Sequence, residues 1–397
     1  MRQLSTTRRS FMAGSAAVVS VWLAGAARAE EVSVREFGAR GDGLRDDSAA
    51  VQAALDSGLP VYLPAGNYLI SRTLMVSSGT RLRGSGAATV LKKRNEMDAR
   101  VIQNADPSGN RDIYLADFRI DGSRREDTYR SGRDGVLLSR CEDCTIERLQ
   151  VDNCLNDGLI IEYGTRNRIS ETKCNGNAKD GLYLSGTEHC TLSRNDCRGN
   201  AVAAIAVAAS WWVEVSDNVA RDNGVADFML GRDARYVEVT SNVFGPGSAH
   251  SIVTSAEPIP TAQKLHGNSY PGGSTLFGAR DCTISANELH GKVSLILFDD
   301  GTVANNVIDG SSSQGLLLQG SNGNRVSDNQ ISGWNPRYAG IQIAVLDISP
   351  EQSKSRSNRV TSESNELRGN VVSNSGPDSS SVAIAGRNVL DGASVGP

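Results

Sequence analysis

Arg133, Glu162 and Tyr183 are side chains of the kinds that a β-elimination requires. Such a reaction needs a base to take the proton α to a uronate carboxylate and a cation to neutralise that carboxylate. Tyr183 can serve as the base with Glu162 or Arg133 beside it. The plainer alternative is a tyrosine that merely sits on a strand surface. Arg124, Arg125 and Arg130, with Tyr129, crowd the stretch DGSRREDTYRSGR, which ends at Arg133. Guanidinium forks match carboxylates, so this run reads as a clamp for an anionic glycan, or else as a solvated loop in which Glu126 and Asp127 pair internally. A further set, Asp143, Arg166, His189, Trp212 and Arg235, recurs every 23 residues. Arg166, His189 and Trp212 are the binding candidates here, the two rings for stacking on sugars, against an ordinary exposed strand face. Asp134, Asp157 and Asp180 recur at the same interval. Neighbouring aspartates can divide acid and base roles in glycoside hydrolysis, but each of these opens an Asp-Gly corner, and the turn role is preferred. His250 and His266 are further bases without an assignable partner. No phosphate loop, zincin motif or Gly-x-Ser-x-Gly elbow is present.

The elements that would position these groups follow from the interval itself. From Asp134 to Val225 the chain falls into four aligned rows of 23 residues, beginning at Asp134, Asp157, Asp180 and Ala203. Fixed-period self-similarity of this length marks a solenoid. The third and fifth residues of each row, Val136/Leu138, Leu159/Ile161, Leu182/Leu184 and Ile205/Val207, alternate as one buried face of a strand. Cys144/Ile146, Asn167/Ile169, Cys190/Leu192 and Val213/Val215 form a second strand, and Val151, Cys174, Cys197 and Ala220 a third, shorter one. Three short strands per row, separated by polar turns, predict a right-handed parallel β-helix, all-β, with coils stacked at roughly 4.8 Å. The fourth and sixth residues then point outward: Leu137/Ser139, Ile160/Glu162, Tyr183/Ser185 and Ala206/Ala208. Asn177, Asn200 and Asn223 share one column and predict an asparagine ladder at a corner.

The chain has 397 residues and a formal net charge of −4. A solenoid of that length needs no division into domains. Thr7-Arg8-Arg9-Ser10-Phe11-Met12, an apolar run from Ala16 to Ala27 and the small-x-small sequence Ala27-Arg28-Ala29 resemble a twin-arginine signal. The alternative is a general secretory signal with two arginines. Residues 1–29 are therefore expected to be a signal peptide, 30–100 an N-terminal cap with the first coils, and 101–397 the β-helix. Removing Arg2, Arg8, Arg9 and Arg28 takes the charge from −4 to −8, which disfavours nucleic acid as a partner. The mature chain is expected to be periplasmic or secreted, without membrane insertion. Seven cysteines are an odd number, and their inward columns predict free buried thiols. Cys174 and Cys197 are near enough in register for a bridge to stay open. Cys141-x-x-Cys144 lacks a His partner, so no metal site is read.

Before the rows stands VSVREFGARGDGLRDDSAAVQAALDSGLPVYLPAGNYLIS. Phe37-Gly38-Ala39, Gly41-Asp42-Gly43 and Asp46-Asp47 precede a helix expected at about Ser48–Asp56, with Val51, Ala54 and Leu55 on its apolar face and Asp46 or Asp47 capping it. FGARGDG…DD…AVQAAL…VYLPAGNYLI resembles the N-terminal signature of the pectate-lyase-like β-helix superfamily. Glycoside-hydrolase-28-related proteins, phage tailspike-type depolymerases and alginate C5-epimerase modules share that signature. The resemblance implies the fold, a helical plug at the open end and a groove on the first-strand face, where the arginine-rich stretch also enters. It does not single out a reaction. Alginate epimerases carry Asp-Pro-His-Glu on the corresponding strand. This chain has Ile160-Ile161-Glu162-Tyr163, which departs from that pattern. Calcium is common among such relatives. Arg111–Leu115 matches Glu142–Ile146, and the rung before Asp134 is expected to start near Gln103 and to carry about eight extra residues. Later rows are expected at Ala249, Gly272, Gly291 and Gln314, the last two marked by Asn306 and Asn329, with Cys282 in the Cys144 column. A Pro-rich excursion, SAEPIPTAQKLHGNSYPGG, lies in the Ala249 row. Ser349–Ser357 reads as a mobile loop and Val382–Ile384 as the last strand. The expected function is an exported protein that cleaves or modifies an acidic polysaccharide, most readily as a lyase. The rival is a non-catalytic glycan-binding or structural β-helix. A third reading, metal-cofactor assembly, rests on the cysteines alone. The oligomeric state is left open.

Overall fold

The computed structural model describes residues 30–395 except 96, 125–132, 232, 246–249, 255–262, 271–273, 278, 311–313, 334–339, 345, 348–358, 361, 373–381, 385–387 and 391–392. Residues 1–29, Arg125, Tyr129 and Arg130, and the stretch Ser349–Ser357 lie outside the described residues.

The chain winds into a parallel β-solenoid with three long sheets of 13, 16 and 14 strands. Each regular coil contributes one strand to each sheet: Val136–Ser139 to the first, Thr145–Glu147 to the second and Gln150–Asp152 to the third. Register follows the 23-residue period. Val136 lies beside Leu159, Leu159 beside Leu182 and Leu182 beside Ile205. The inward residues of all three sheets merge into one core that includes Leu138, Ile161, Leu184, Ile146, Ile169, Val151 and Cys174. Gly135, Gly158 and Gly181 follow the corner aspartates for a steric reason. A Cβ on any of them would lie within 2.7 Å of the carbonyl oxygen of the next coil.

The helix spans Ser48–Asp56 and buries Val51, Ala54 and Leu55. Its N-cap residue, Asp47, makes no side-chain cap hydrogen bond. Asp47 instead accepts from the Arg40 and Gly41 amides at 2.7 and 3.0 Å, and Asp46 accepts the Ser48 amide at 2.9 Å. The Asp-Asp pair thus ties the preceding loop and the helix start together. Among the described residues no helix is long and apolar enough to cross a membrane.

The expected ladder of Asn177, Asn200 and Asn223 is present, with Asn177 and Asn200 amides each donating to the next side-chain oxygen at 3.1 Å. A longer ladder occupies a different corner, between the second and third sheets. It runs through Asn195, Asn218, Asn242, Asn268, Asn287, Asn306, Asn329 and Asn370. Asn306 and Asn329, the markers of the Gly291 and Gln314 rows, belong to it. Each side chain in it accepts from the coil before and donates to a carbonyl of that side: Asn218 Oδ1 accepts from the Asn195 amide, and its Nδ2 donates to the Leu192 carbonyl, both at 2.9 Å. An amide side chain is a neutral group that satisfies both demands in a buried corner, as the Ser321 hydroxyl also does between Phe298 and Leu295.

Coil length departs from 23 outside the four rows, and this corrects several expectations. Val136 lies beside Ile102, and Leu137 beside Gln103, so that rung begins near Arg100 and not near Gln103. Glu214 lies beside Glu238, one residue beyond the period, which brings Tyr236 and not Arg235 into the Trp212 column. Ala226 lies beside His250, so the Ala249 row starts one residue late. Part of the supposed excursion is regular, since Lys264–His266 and Ser269–Tyr270 are strands of the second and third sheets. The Gly272, Gly291 and Gln314 rows and the Cys282 column hold. Val382–Ile384 is followed by two more strands, Asn388–Leu390 and Ala393–Val395, paired antiparallel.

Substituting Asn218→Ala leaves the Asn195 amide and the Leu192 carbonyl without partners in a dry corner. The expected loss is on the order of 3 kcal/mol, read as a lower urea midpoint. Glu214→Ala, on the exposed second-sheet face of the same coil, is expected to shift it by less than about 0.5 kcal/mol. Equal effects would refute the role given to the ladder.

Candidate functional site

The outward residues of the first sheet form a largely apolar floor. Leu137 and Ile160 lie outside the core cluster, as the alternation predicts, yet are only 5% exposed. Ala206 and Ala208 continue the floor at the register positions of Tyr183 and Ser185. Glu162 and Tyr183 are therefore the ionisable groups rising from it on these four strands, both partly exposed. They stand on adjacent strands, offset by two residues on the same face, and do not hydrogen-bond to each other.

At the edge of this floor the corner aspartates form a buried column. Asp157 accepts the Asp180 amide at 2.8 Å, and Asp180 accepts the Ala203 amide at 2.9 Å. Asp134 accepts from Asn156 at 2.7 Å and pairs with Arg100 at 2.8 Å. The turn role is thus what the geometry supplies: each carboxylate stitches its coil to its surroundings. Burial and the nearby Asp157 charge push the Asp180 carboxyl up to about 6. Burial also raises Asp157, against the Asp180 amide and Lys179.

Lys179 is the residue that motif reading missed. Its ammonium stands 5.1 Å from the Tyr183 ring centroid and 3.2 Å from Asp157. Burial opposes its charge, but Asp157 and Asp180 more than offset this and hold it above the ordinary lysine value. A signal existed, because Arg133, Asn156 and Lys179 close three successive rows and so share a column. Arg133, chosen as the cation, lies two coils from Tyr183 and faces Asp98 at 3.6 Å. Arg124 donates to the Gly176 carbonyl at 3.0 Å on the third-sheet side, so the described arginines of that stretch do not converge.

The column of Asp143, Arg166, His189, Trp212 and Tyr236 forms a ridge at the corner between the first and second sheets. All five have left-handed φ between 52° and 56°, a region that favours Asn and Asp over rings. His189 stacks on Trp212 at 4.9 Å and Trp212 on Tyr236 at 5.5 Å, each pair within 5° of parallel. Trp212 thus has both faces covered by its neighbours, and His189 and Tyr236 one face each. This differs from the platform expected of His189 and Trp212. Arg166 is clamped by Asp143 at 2.8 and 2.9 Å, which holds the Asp143 carboxyl below its ordinary value. His266 stands on the second sheet, away from the floor, and contacts Ser285 at 3.1 Å.

All seven cysteines are buried and unbridged, Cys174 and Cys197 included, although these two are register partners. Burial pushes Cys282 up to about 12 and raises Cys154, Cys174 and Cys190 as well.

Comparison with known proteins matches residues 31–226 to the family profile "Rhamnogalacturonase A/epimerase, pectate lyase-like" and residues 247–376 to "Periplasmic copper-binding protein (NosD)". The pre-neck appendage protein of Bacillus phage phi29 is 32% identical over 145 residues, 34% of this chain and 17% of that protein. Mannuronan C5-epimerase AlgE4 of Azotobacter vinelandii is 33% identical over 146 residues, 30% of this chain and 26% of that protein. Alginate lyase 7 of the same organism is 34% identical over 110 residues, 24% and 13% respectively. The chain thus spans at most about a quarter of these relatives' lengths. Among solved structures, the A-module of the A. vinelandii mannuronan C-5 epimerase AlgE6 superposes with a TM-score of 0.60 at 19% identity, covering 88% of this chain and 98% of that one. The Yersinia enterocolitica family 28 exopolygalacturonase gives 0.58 at 15% identity, covering 93% and 80%. Among the described residues no group of three or more His, Cys, Asp or Glu is arranged to hold a metal ion, and Cys282 is buried.

The raised Asp180 carboxyl has a pH signature. Its folded value of about 6 exceeds the unfolded value of 3.8, so the fold takes up a proton and the residue weakens it as pH rises from about 4 through 6. Asp180→Asn keeps an acceptor for the Ala203 amide and removes the charge. It is expected to stabilise the protein at pH 7.5 by up to about 3 kcal/mol, with the gain gone near pH 4. Parallel urea midpoints for the two proteins across that window would refute the assignment.

Proposed function

The chain belongs to the pectate-lyase-like superfamily of right-handed parallel β-helix proteins, and from that premise we propose that it is a carbohydrate-active protein that cleaves an acidic polysaccharide by β-elimination on the first-sheet face. The observation that carries this reading is Lys179 beside Tyr183 at the edge of an otherwise apolar floor. In the proposed reaction Tyr183, reacting as its phenolate, takes the proton α to a uronate carboxylate, at C5. The C4–O bond breaks, a C4=C5 double bond forms, and the departing C4 oxygen takes a proton back from Tyr183. Lys179, charged and partly buried, neutralises the carboxylate as negative charge develops on it. Such a cation is worth most where water is excluded. Relatives named as a mannuronan C5-epimerase and an alginate lyase support a uronate-containing substrate. The same reading takes the chain as exported, through the signal proposed at 1–29, to the periplasm or beyond.

A second reading has its own support. The outward positions of Leu137, Ile160, Ala206 and Ala208 carry no ionisable group, and a relative is named as a phage pre-neck appendage protein. A glycan-binding or structural β-helix without catalysis fits both.

Incubation with alginate, pectate and hyaluronan separates the two, read as unsaturated-uronate absorbance together with reducing ends. Tyr183→Phe is expected to lower the rate by about 10²-fold or more and Lys179→Ala by about 10²-fold. Arg133→Ala, two coils away and facing Asp98, is expected to change it less than about threefold. Turnover that survives Tyr183→Phe would refute the assignment of the base. Binding without turnover would favour the second reading.

A further inference from the structure

We propose that the recess between the aromatic ridge and the second sheet is a separate binding site for an anionic group of a glycan, a carboxylate or a sulfate ester, with Arg168 as its principal ligand. This rests on the reading of the protein as one that meets acidic glycans. The recess has a volume of about 350 Å³ and is lined by Asp143, Thr145, Arg166, Arg168, His189 and Thr191. It opens around the corner from the first-sheet floor, so a chain bound here does not lie across Tyr183.

The strand pairing creates the space. Thr145, Arg168 and Thr191 are consecutive register partners on the outward face of the second sheet. Two short side chains therefore flank one long one, and the ridge residues Asp143, Arg166 and His189 wall the side. The charges lining the recess are unequal. Arg166 is held by Asp143 through two bonds and by Glu142 at 3.4 Å, which fixes its guanidinium plane and satisfies its charge. The exposed Arg168 guanidinium makes no hydrogen bond or ion pair with any described residue, although its charge helps to hold the nearby Asp143 carboxyl down. Neither ring nitrogen of His189 has a hydrogen-bond partner among the described residues, and its ring is pinned by stacking on Trp212. The Thr145 and Thr191 hydroxyls also have no hydrogen-bond partner among the described residues. Two arginines against the single carboxylate of Asp143, a held imidazole and two hydroxyls thus converge on one cavity. An oxyanion is the ligand that answers all of them, because it accepts from each and balances the charge. The preorganised ridge lowers the ordering loss on binding.

The test measures binding and turnover separately on the full chain. Probes are an alginate-derived uronate hexasaccharide, a sulfated oligosaccharide of the same length and a neutral cello-oligosaccharide, titrated while Trp emission is followed. Trp212 touches His189, so occupancy of the recess alters its surroundings. One or both charged probes are expected to bind and the neutral one not. Which of the two binds identifies the anion. Arg168→Ala is expected to weaken that binding by roughly tenfold or more, with Arg168→Lys intermediate. The Arg168 side chain bonds to no described residue, so thermal midpoints should be unchanged. Tyr183→Phe should leave this binding intact. No binding of either charged probe at millimolar concentration, or binding indifferent to Arg168→Ala, overturns the inference. Binding lost in Arg168→Ala by a protein that turns nothing over would sustain it while the catalytic reading falls. Turnover sensitive to Tyr183→Phe, with binding indifferent to Arg168→Ala, would do the reverse.

Discussion

Hydrogen bonding between successive coils is the constraint on which the molecule depends. In a parallel solenoid the amide of one coil donates to the carbonyl of its neighbour along all three sheets, so a residue's surroundings are set by whatever lies one coil above and below. Corners are where this breaks down, since the backbone there turns out of the ladder and its groups need other partners. Asparagine side chains fill that gap at three corners, including Asn324, Asn365 and Asn388 at the exit from the first sheet. Aspartates do so at the entry to the first sheet, and the difference between amide and carboxylate there has consequences. An amide column is neutral. The column of Asp134, Asp157 and Asp180 collects negative charge in a buried place and draws Arg100 and Lys179 to it. The cation beside Tyr183 is thus a by-product of how the corner is built.

Coil-to-coil stacking also decides which features a sequence displays. The strands, their register and their inward faces were legible between Asp134 and Val225 because like residues must stack for the core to close. The Asp-Gly corners were legible for the same reason. Legibility failed wherever a coil gained or lost residues. A single extra residue before Glu238 moved Tyr236 into the place assigned to Arg235, and counting backwards across the arginine-rich stretch misplaced the preceding rung. The longer asparagine ladder was missed although two of its members were noted, because the coil from Lys264 to Thr283 is shorter than the period and hides the alignment.

The site was less legible than the fold, for a different physical reason. Outward residues are under no packing rule, so their types do not announce their neighbours. Arg133 was chosen by its sequence neighbours and proved to be remote from Tyr183. Lys179 was overlooked because it ends a row rather than lying on a strand. His189 and Trp212 were recognised as partners, but only their geometry shows that they cover one another's faces. Arg168 drew no attention as one of 41 basic residues. Its interest comes from having threonines as both register partners and no described acid in direct contact with its guanidinium.

The interior thiols carry an implication for how the protein can be handled. All seven lie inside the stack, and burial raises most of them. Thiolate is the reactive form, so alkylating reagents and oxidants reach these sulfurs only when coils part. The rate of their labelling is then a gauge of local opening along the solenoid, with Cys282 reporting on the later coils and Cys141 to Cys197 on the middle.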